Sequence, residues 1–134
     1  MFWRKRNKAK IVSGDNDGMG VLELPDGSKY EGELDNGTAH GKGTLTFADG
    51  RKYVGEWQYG MPHGKESVLT FPDGRKYVGN YKDGARDGQG VMYFPEGERY
   101  EGQWKNDLPD GDGKMIAPDG KEEAGRWKKG VKIQ

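Results

Sequence analysis

The chain has 134 residues, of which 31% are hydrophobic and 33% are charged, so it fits one domain and lacks the apolar content of a thick two-layer core. Four Trp, seven Tyr and four Phe residues argue against disorder, and the absence of cysteine excludes disulfides and thiolate metal sites. Lys+Arg and Asp+Glu both total 22, but five cations lie in Met1–Lys10, and the acidic remainder argues against a nucleic-acid partner.

The N-terminal segment is basic and carries two aromatic residues. We assign residues 1–6 to a tail that precedes the fold. Because the polar stretch Gly14–Asp17 follows soon after, the apolar region of a signal peptide is missing. The expected location is the cytoplasm, either free or peripheral to a membrane. Two interpretations stay open, a solubilising terminus or contact with an anionic membrane through Phe2, Trp3, Arg4, Lys5, Arg6, Lys8 and Lys10.

A repeat follows this tail. The motif Tyr-x-Gly begins at Tyr30, Tyr53, Tyr77 and Tyr100, at intervals of 23, 24 and 23 residues. This spacing divides an array over residues 7–134 into a degenerate cap, four repeats and a terminal half-repeat, with the bounds 7–29, 30–52, 53–76, 77–99, 100–122 and 123–134. In the cap, Asn7 and Ala9 stand where the register assigns Tyr and Gly. Atypical terminal repeats are typical of a capped linear array.

Each repeat contains two alternating runs of apolar and polar residues, which predict two strands. An Asp-Gly or Glu-Gly pair precedes each new repeat, and such pairs favour the two-residue type I′ hairpin turn. Tight turns are therefore predicted at Asp26-Gly27, Asp49-Gly50, Asp73-Gly74, Glu96-Gly97 and Asp119-Gly120. The other connection, for example Asp35–Lys42, holds several glycines and predicts a wider loop. The fold class is all-β, a single-layer, twisted and elongated antiparallel meander of hairpin repeats.

Alternation also predicts an aromatic face of the sheet, because side chains two residues apart share a face. The mid-strand glycines, such as Gly55, predict a neighbouring ring lying over the bare backbone. This face is interpreted either as the core of the sheet or as a partly open groove for a partner. Its members are Tyr30, Tyr53, Trp57, Tyr77, Tyr81, Tyr100, Trp104 and Trp127.

The pattern Y-x-G-x-W-x-x-G followed by G-x-G, as in Tyr53–Gly60 and the residues after it, resembles the MORN repeat (membrane occupation and recognition nexus). The resemblance extends from Asn7 to Trp127. It implies a single-layer twisted sheet with an elongated groove, and a role as scaffold, dimerising module or targeting segment. The family name implies lipid binding without establishing it for any one array.

The sequence departs from this pattern at three places. The stretch Gly64–Ser67 has one extra residue and lacks the second Gly of G-x-G, which predicts a bulge or an altered loop. Asp107 stands where the fourth repeat should have Gly, which predicts another turn there. Ala117 replaces a phenylalanine, which thins the aromatic face near the C-terminal end.

No residues with an enzymatic pattern were found. His40 and His63 occupy a position where other repeats have Asp, so a polar side chain that bonds nearby backbone explains them better than a metal site. No serine elbow or cysteine nucleophile is present. We therefore expect no catalytic, metal or cofactor site, and a scaffold whose groove binds a protein. The alternative is a peripheral membrane or phospholipid adaptor that uses the basic tail, and homo-oligomerisation stays open.

Overall fold

The computed structural model describes residues 10–14 and 17–134, and strands account for most of them. No helix among the described residues is long and apolar enough to cross a membrane. The strands are β1 (Lys10–Gly14), β2 (Gly18–Glu23), β3 (Lys29–Asp35), β4 (Thr38–Thr46), β5 (Lys52–Gln58), β6 (Met61–Pro62), β7 (Gly64–Thr70), β8 (Lys76–Lys82), β9 (Ala85–Tyr93), β10 (Arg99–Lys105), β11 (Leu108–Ile116), β12 (Glu122–Lys128) and β13 (Val131–Lys132).

All thirteen strands of the described chain belong to one antiparallel sheet. Twelve of them lie side by side in chain order, while the two-residue strand β6 pairs with β5 next to β7. Each strand therefore pairs with strands that are close to it in sequence. The predicted all-β antiparallel meander is confirmed.

The turns before each repeat are tight, as predicted, but their type is different. Gly27 N donates to Leu24 O at 3.0 Å and Leu24 N donates to Ser28 O at 2.9 Å, so three residues lie between the bonded residues Leu24 and Ser28. Only the glycine has a positive φ (91°), whereas a type I′ turn needs two such residues. This is a type I turn followed by a glycine bulge, and Pro25 favours it because proline suits the second position of a type I turn. The same bonding recurs in the turns at Gly50, Gly74, Gly97 and Gly120.

The type I′ turns lie at the opposite ends of the strands, where a wide loop was predicted. Asn36 and Gly37 have φ values of 52° and 77° and connect β3 directly to β4. The prediction of a wide loop over Asp35–Lys42 is wrong. The prediction for Asp107 is also wrong, because Asn106 (φ 51°) and Asp107 (φ 71°) form the same turn without glycine. The corresponding turns are Tyr59-Gly60, Asp83-Gly84 and Lys129-Gly130.

Gly41, which the prediction also assigned to that loop, lies instead in a bulge within the next strand. In the first repeat, Gly32 pairs with Gly43 and Leu34 pairs with Ala39, so residues 40–42 lie opposite Glu33 alone. Residues 87–89 and 110–112 have the same position in later repeats. In the second repeat the irregularity lies between Gly64 and Ser67, which confirms the altered geometry predicted there.

The core lies on one face of the sheet. In β3 buried and exposed residues alternate strictly, with Tyr30 and Leu34 buried, as the period of two predicts. At the N-terminal end, Ile11 pairs with Leu22 as Tyr30 pairs with Leu45. Ile11 therefore has the tyrosine position that the sequence register assigned to Asn7, and that assignment is corrected.

Candidate functional site

The eight residues of the predicted aromatic face form one continuous ladder of rings. Successive rings meet edge to face, with centroids 5.0–5.5 Å apart and interplanar angles of 77–87°. Such contacts contribute about 0.5–1.5 kcal/mol each beyond area burial. Every ring residue is at most 7% exposed. The structure therefore brings all eight together as a core in which each ring is almost fully covered. They are Tyr30, Trp57, Tyr53, Tyr81, Tyr77, Trp104, Tyr100 and Trp127.

Hydrogen bonds hold the rings in place. The hydroxyl of Tyr30 donates to Glu33 O at 2.7 Å, and the equivalent bond occurs in all four repeats. Trp57 Nε1 donates to Gly43 O at 3.1 Å, and Trp104 Nε1 donates to Gly90 O at the same distance. Because six of the eight rings are held by a hydrogen bond as well as by packing, the ladder is a rigid support for the surface above it.

The glycines make this packing possible, with one change from the prediction. The Tyr30 ring lies over Gly43 on the neighbouring strand, where a Cβ atom would overlap the ring. A Cβ atom on Gly32, the mid-strand glycine, would overlap the backbone of Gly43 and lie 2.7 Å from the Tyr30 hydroxyl. The ring therefore covers the partner glycine, and the mid-strand glycine allows the two strands to meet.

Burial changes the acidity of these phenols. Removal from water raises the pKa of Tyr30, Tyr77 and Tyr81 well above the usual value of a phenol, and raises the pKa of Tyr53 to about 12. For Tyr53, a hydrogen bond with Ser67 opposes part of this rise. All four phenols are therefore neutral at neutral pH.

A cleft of about 250 Å³ opens above the middle of the ladder. We call it the central cleft. Arg51 lies over the Phe47 ring with its guanidinium carbon 4.2 Å from the centroid. Arg86 lies 5.1 Å from the Trp104 centroid and donates to Asp107 at 3.1 Å. The cleft is lined by Phe47, Arg51, Tyr53, Leu69, Phe71, Tyr81, Gly84, Ala85, Arg86 and Asp107.

A second opening lies toward the C-terminal end, where Ala117 replaces phenylalanine. Two adjoining hollows of about 380 and 350 Å³ share Glu98 and Met115. We call them together the C-terminal cleft. Met115 is partly exposed, whereas the equivalent Leu45, Leu69 and Met92 are buried. The predicted thinning of the aromatic face is present at this place.

The sequence interpretation missed the arginines of the central cleft. The signal for Arg51 is the stretch Asp-Gly-Arg-Lys-Tyr, which occurs at both Asp49 and Asp73, whereas Arg86 lies outside any such stretch. Arg75 lies over Phe71 at 4.2 Å and pairs with Asp73 at 2.8 Å, as Arg51 does with Phe47 and Asp49. The tight turn brings together the phenylalanine ring, the carboxylate two residues later and the guanidinium four residues later. A strand pattern alone does not predict this contact.

The side chain at the histidine position accepts a hydrogen bond from a backbone N–H of the next repeat, not from a residue nearby in the chain. His63 Nδ1 accepts from Asp83 N at 3.3 Å, and Asp17 and Asp110 accept from the equivalent turns. Within the described residues, no group of three His, Cys, Asp or Glu side chains could hold a metal ion. Of the predicted membrane contacts, Lys10 begins β1, and Phe2, Trp3, Arg4, Lys5, Arg6 and Lys8 lie outside the described residues.

Comparison with known proteins gives a family match and remote structural likenesses. A family model described as MORN repeat matches residues 30–50, 53–65, 77–99 and 100–122. The TCP10 domain of Danio rerio CPAP, solved in complex with a peptide of Danio rerio STIL, has 20% identity and a TM-score of 0.43; the match covers 87% of this chain and 59% of that one. The SAS-4 (dCPAP) TCP domain of Drosophila melanogaster, solved with a proline-rich motif of Ana2 (dSTIL), has 13% identity, a TM-score of 0.30 and 90% coverage of both chains. No curated protein sequence matches significantly.

Proposed function

This chain belongs to the MORN repeat family, and from that premise we propose that it is a non-catalytic scaffold whose central cleft binds a segment of another protein. The observation that supports this function is the cleft itself, which has an apolar floor on a rigid ladder and arginines at its rim. Its residues include no nucleophile with an adjacent base, which is the arrangement that covalent catalysis needs.

The size of the central cleft favours side chains over a whole small molecule. Its volume of about 250 Å³ lies below the ~300–1,000 Å³ that is usual for small-molecule sites. Phe71 is partly exposed there, while Phe47 and Leu69 are buried. An apolar side chain on a partner segment can contact the part of the Phe71 ring that Arg75 leaves exposed, without rearranging the ladder.

The two arginines of the central cleft indicate which polar groups the partner segment carries. Arg51 and Arg86 each use Nε–H to bind an aspartate, at 2.9 and 3.1 Å. Among the described residues, no acceptor is bound by their terminal guanidinium nitrogens. Because a guanidinium carries five donors, these groups favour a partner that presents carbonyl or carboxylate oxygens. The proposed occupant is therefore a peptide segment with an apolar residue next to an acidic one.

Selection of displayed peptides on the full chain tests this proposal. Selected peptides should carry an apolar residue beside Asp or Glu. Their affinity should fall about tenfold, or ~1.4 kcal/mol, for the Arg51→Gln variant. Arg126→Gln is the matched control, because Arg126 also pairs with an aspartate, Asp112, but lies outside the cleft. If selected peptides bind the Arg51→Gln variant as tightly as the wild type, the central cleft is not the binding site.

The alternative function is a peripheral membrane or phospholipid adaptor. It is motivated by the five cations and two aromatic residues of Met1–Lys10. Each cation near an anionic surface contributes about 1 kcal/mol, and stable anchoring usually needs a second signal. Co-sedimentation of the full chain with anionic and neutral liposomes tests it. Charge reversal at Arg4 and Arg6 should abolish sedimentation with anionic liposomes if the tail is the anchor.

A further inference from the structure

The turns before successive repeats have different charges around the same ring. In the first two complete repeats a guanidinium lies 4.2 Å from the phenylalanine centroid and pairs with the turn aspartate. In the third repeat the corresponding residues are Phe94, Glu96 and Glu98, so glutamate has the position of the arginine. The third turn thus has two carboxylates beside a ring and no cation of its own.

The surroundings of Phe94 are open and apolar. Phe94 is partly exposed, and Met115 is partly exposed beside it because Ala117 replaces the next ring. Neither Glu96 nor Glu98 forms an ion pair with any described residue within 4.0 Å. The C-terminal cleft therefore combines an apolar floor with two carboxylates that form no ion pair with a described residue, and Lys121 also lines it.

An arginine side chain from outside the repeat fits this combination. Its guanidinium can stack on the face of Phe94 and bind a carboxylate through its planar fork. Its methylene stem can lie along Met115. The arrangement would repeat what Arg51 and Arg75 do within their own turns.

The chain itself contains a segment of matching chemistry. Residues Arg4, Lys5 and Arg6 follow two aromatic residues, and like-charge repulsion does not oppose their approach to Glu96 and Glu98. Strand β1 begins at Lys10, which pairs with Glu23 beside the Leu24–Ser28 turn. Lys10, where this segment joins the sheet, thus lies at the same ends of the strands as the turn that contains Glu96.

The occupant must come from another copy. Arg4 is six residues before Lys10, so an extended chain reaches at most ~22 Å. Seven strand spacings separate β1 from β9 in the sheet order, which is ~34 Å along the sheet. We propose that the C-terminal cleft binds the N-terminal basic segment of a second copy of this chain. Such contact is head-to-tail, so it adds copies one after another rather than closing a dimer.

Sedimentation of the full chain over a range of concentrations tests this association. The mean mass should rise with concentration and fall at high salt, because the contact is between charges at a surface. The double variant Glu96→Arg/Glu98→Arg should weaken association by about tenfold or more, since like charges then meet. The control Asp35→Arg/Glu66→Arg has the same change in net charge at exposed positions outside the cleft and should associate as the wild type does.

A charge swap separates loss of the contact from loss of the fold. The variant Arg4→Glu/Arg6→Glu should be monomeric alone, as should Glu96→Arg/Glu98→Arg, and a mixture of the two should associate. A wild type that stays monomeric at all concentrations, or a mixture that fails to associate, overturns the proposal. Arg51→Gln should leave self-association unchanged, so this result is independent of the outcome for the central cleft.

Discussion

The second repeat differs from the other three at the residue beneath the tyrosine ring. In the first, third and fourth repeats this residue is Gly43, Gly90 or Gly113, and a Cβ atom there would overlap the tyrosine. In the second repeat it is Ser67, which is fully buried and lies 2.8 Å from the Tyr53 hydroxyl. Because Tyr53 donates its proton to Glu56 O, Ser67 is the donor to Tyr53.

The comparison shows how a repeat accommodates a side chain in a site built for glycine. The second repeat has one extra residue, and Glu66 adopts a positive φ of 60° just before Ser67. The extra residue, which lies in the irregular pairing between Gly64 and Ser67, makes room for a hydroxyl without moving Tyr53, whose bond to the Glu56 carbonyl is the same as in the other repeats. The position of the ring is thus preserved, and the strand beneath it adapts.

The largest effect is expected at high pH, where all repeats respond together. The folded pKa of Tyr53 is about 12, above the ~10 of an unfolded tyrosine. Stability from this neutral phenol is therefore complete below pH ~10 and is lost as pH rises toward 12. We expect cooperative unfolding in this range, followed by circular dichroism and by phenolate absorbance. Phenolate formation without loss of strand signal would contradict the burial of these rings.

Truncation of a ladder ring should cost more than any other single change. Trp57 contacts Tyr30 and Tyr53 and bonds to Gly43 O, so it joins the first repeat to the second. Trp57→Ala should lower the free energy of unfolding by about 3–5 kcal/mol. The exposed neighbour Glu56→Ala should stay within ~0.5 kcal/mol. Chemical denaturation measures both, and equal midpoints would mean that the ladder is not the core.

The difference between the second repeat and the others predicts that a serine beneath the tyrosine ring is tolerated only when the strand also has the extra residue. Gly90→Ser places a side chain against Tyr77 without lengthening the strand, and should destabilise by about 1–3 kcal/mol. Inserting one residue before that serine, as in the second repeat, should recover part of the loss. Thermal unfolding of the two variants gives the difference. A single substitution as stable as the wild type would show that the tyrosine moves readily.

The mid-strand glycines should respond unequally to valine. On Gly79 a Cβ atom meets the Gly90 backbone, whereas on Gly55 the nearest atoms are the ends of the Ser67 and Tyr53 side chains. Side-chain ends yield more easily than backbone, so Gly79→Val should lie near the upper end of ~1–3 kcal/mol and Gly55→Val near the lower end. Stabilisation of either variant would favour strand propensity over packing.

The smallest effect is expected at Ser67 itself. Ser67→Ala removes the donor to Tyr53 and should destabilise by about 1 kcal/mol. The pKa of Tyr53 should rise further, because the hydrogen bond from Ser67 now lowers it. Ultraviolet titration detects that rise. An unchanged titration would show that the hydroxyls are not bonded in solution.

The strands and the ladder could be predicted because both follow from a period of two. Each residue of the ladder recurs at a fixed offset from Tyr-x-Gly, so the face of Tyr53 and Trp57 was assigned without any knowledge of the turns. The sequence prediction places the type I′ turns at the wrong ends of the strands, and the reason is specific. The pair Asp26-Gly27 alone predicts a type I′ turn, but Pro25 before it favours type I, and the glycines that follow Asn36-Gly37 conceal the tight turn there.

The clefts could not be predicted from spacing. The three-residue bulge opposite Glu33 depends on positive φ values at glycines such as Gly41 (φ 78°). A pattern of apolar residues does not predict these φ values. The arginine stacks depend on the geometry of a turn, and the C-terminal cleft depends on which single ring is replaced. The replacement of phenylalanine by Ala117 predicts a thinner aromatic face. It does not predict that Glu96 and Glu98 line the same cleft.

The order of the strands has a consequence for how such a chain changes over evolution. Every strand of the described sheet pairs with neighbours in sequence, and the tyrosine and tryptophan bonds span at most one repeat. Duplication or deletion of one unit of 23 residues between equivalent positions would therefore join surfaces that already fit. Arrays of this kind can change length in whole units while the remaining units keep their contacts. A surface built from differences between repeats, as at Glu96 and Glu98, would be gained or lost with its own unit.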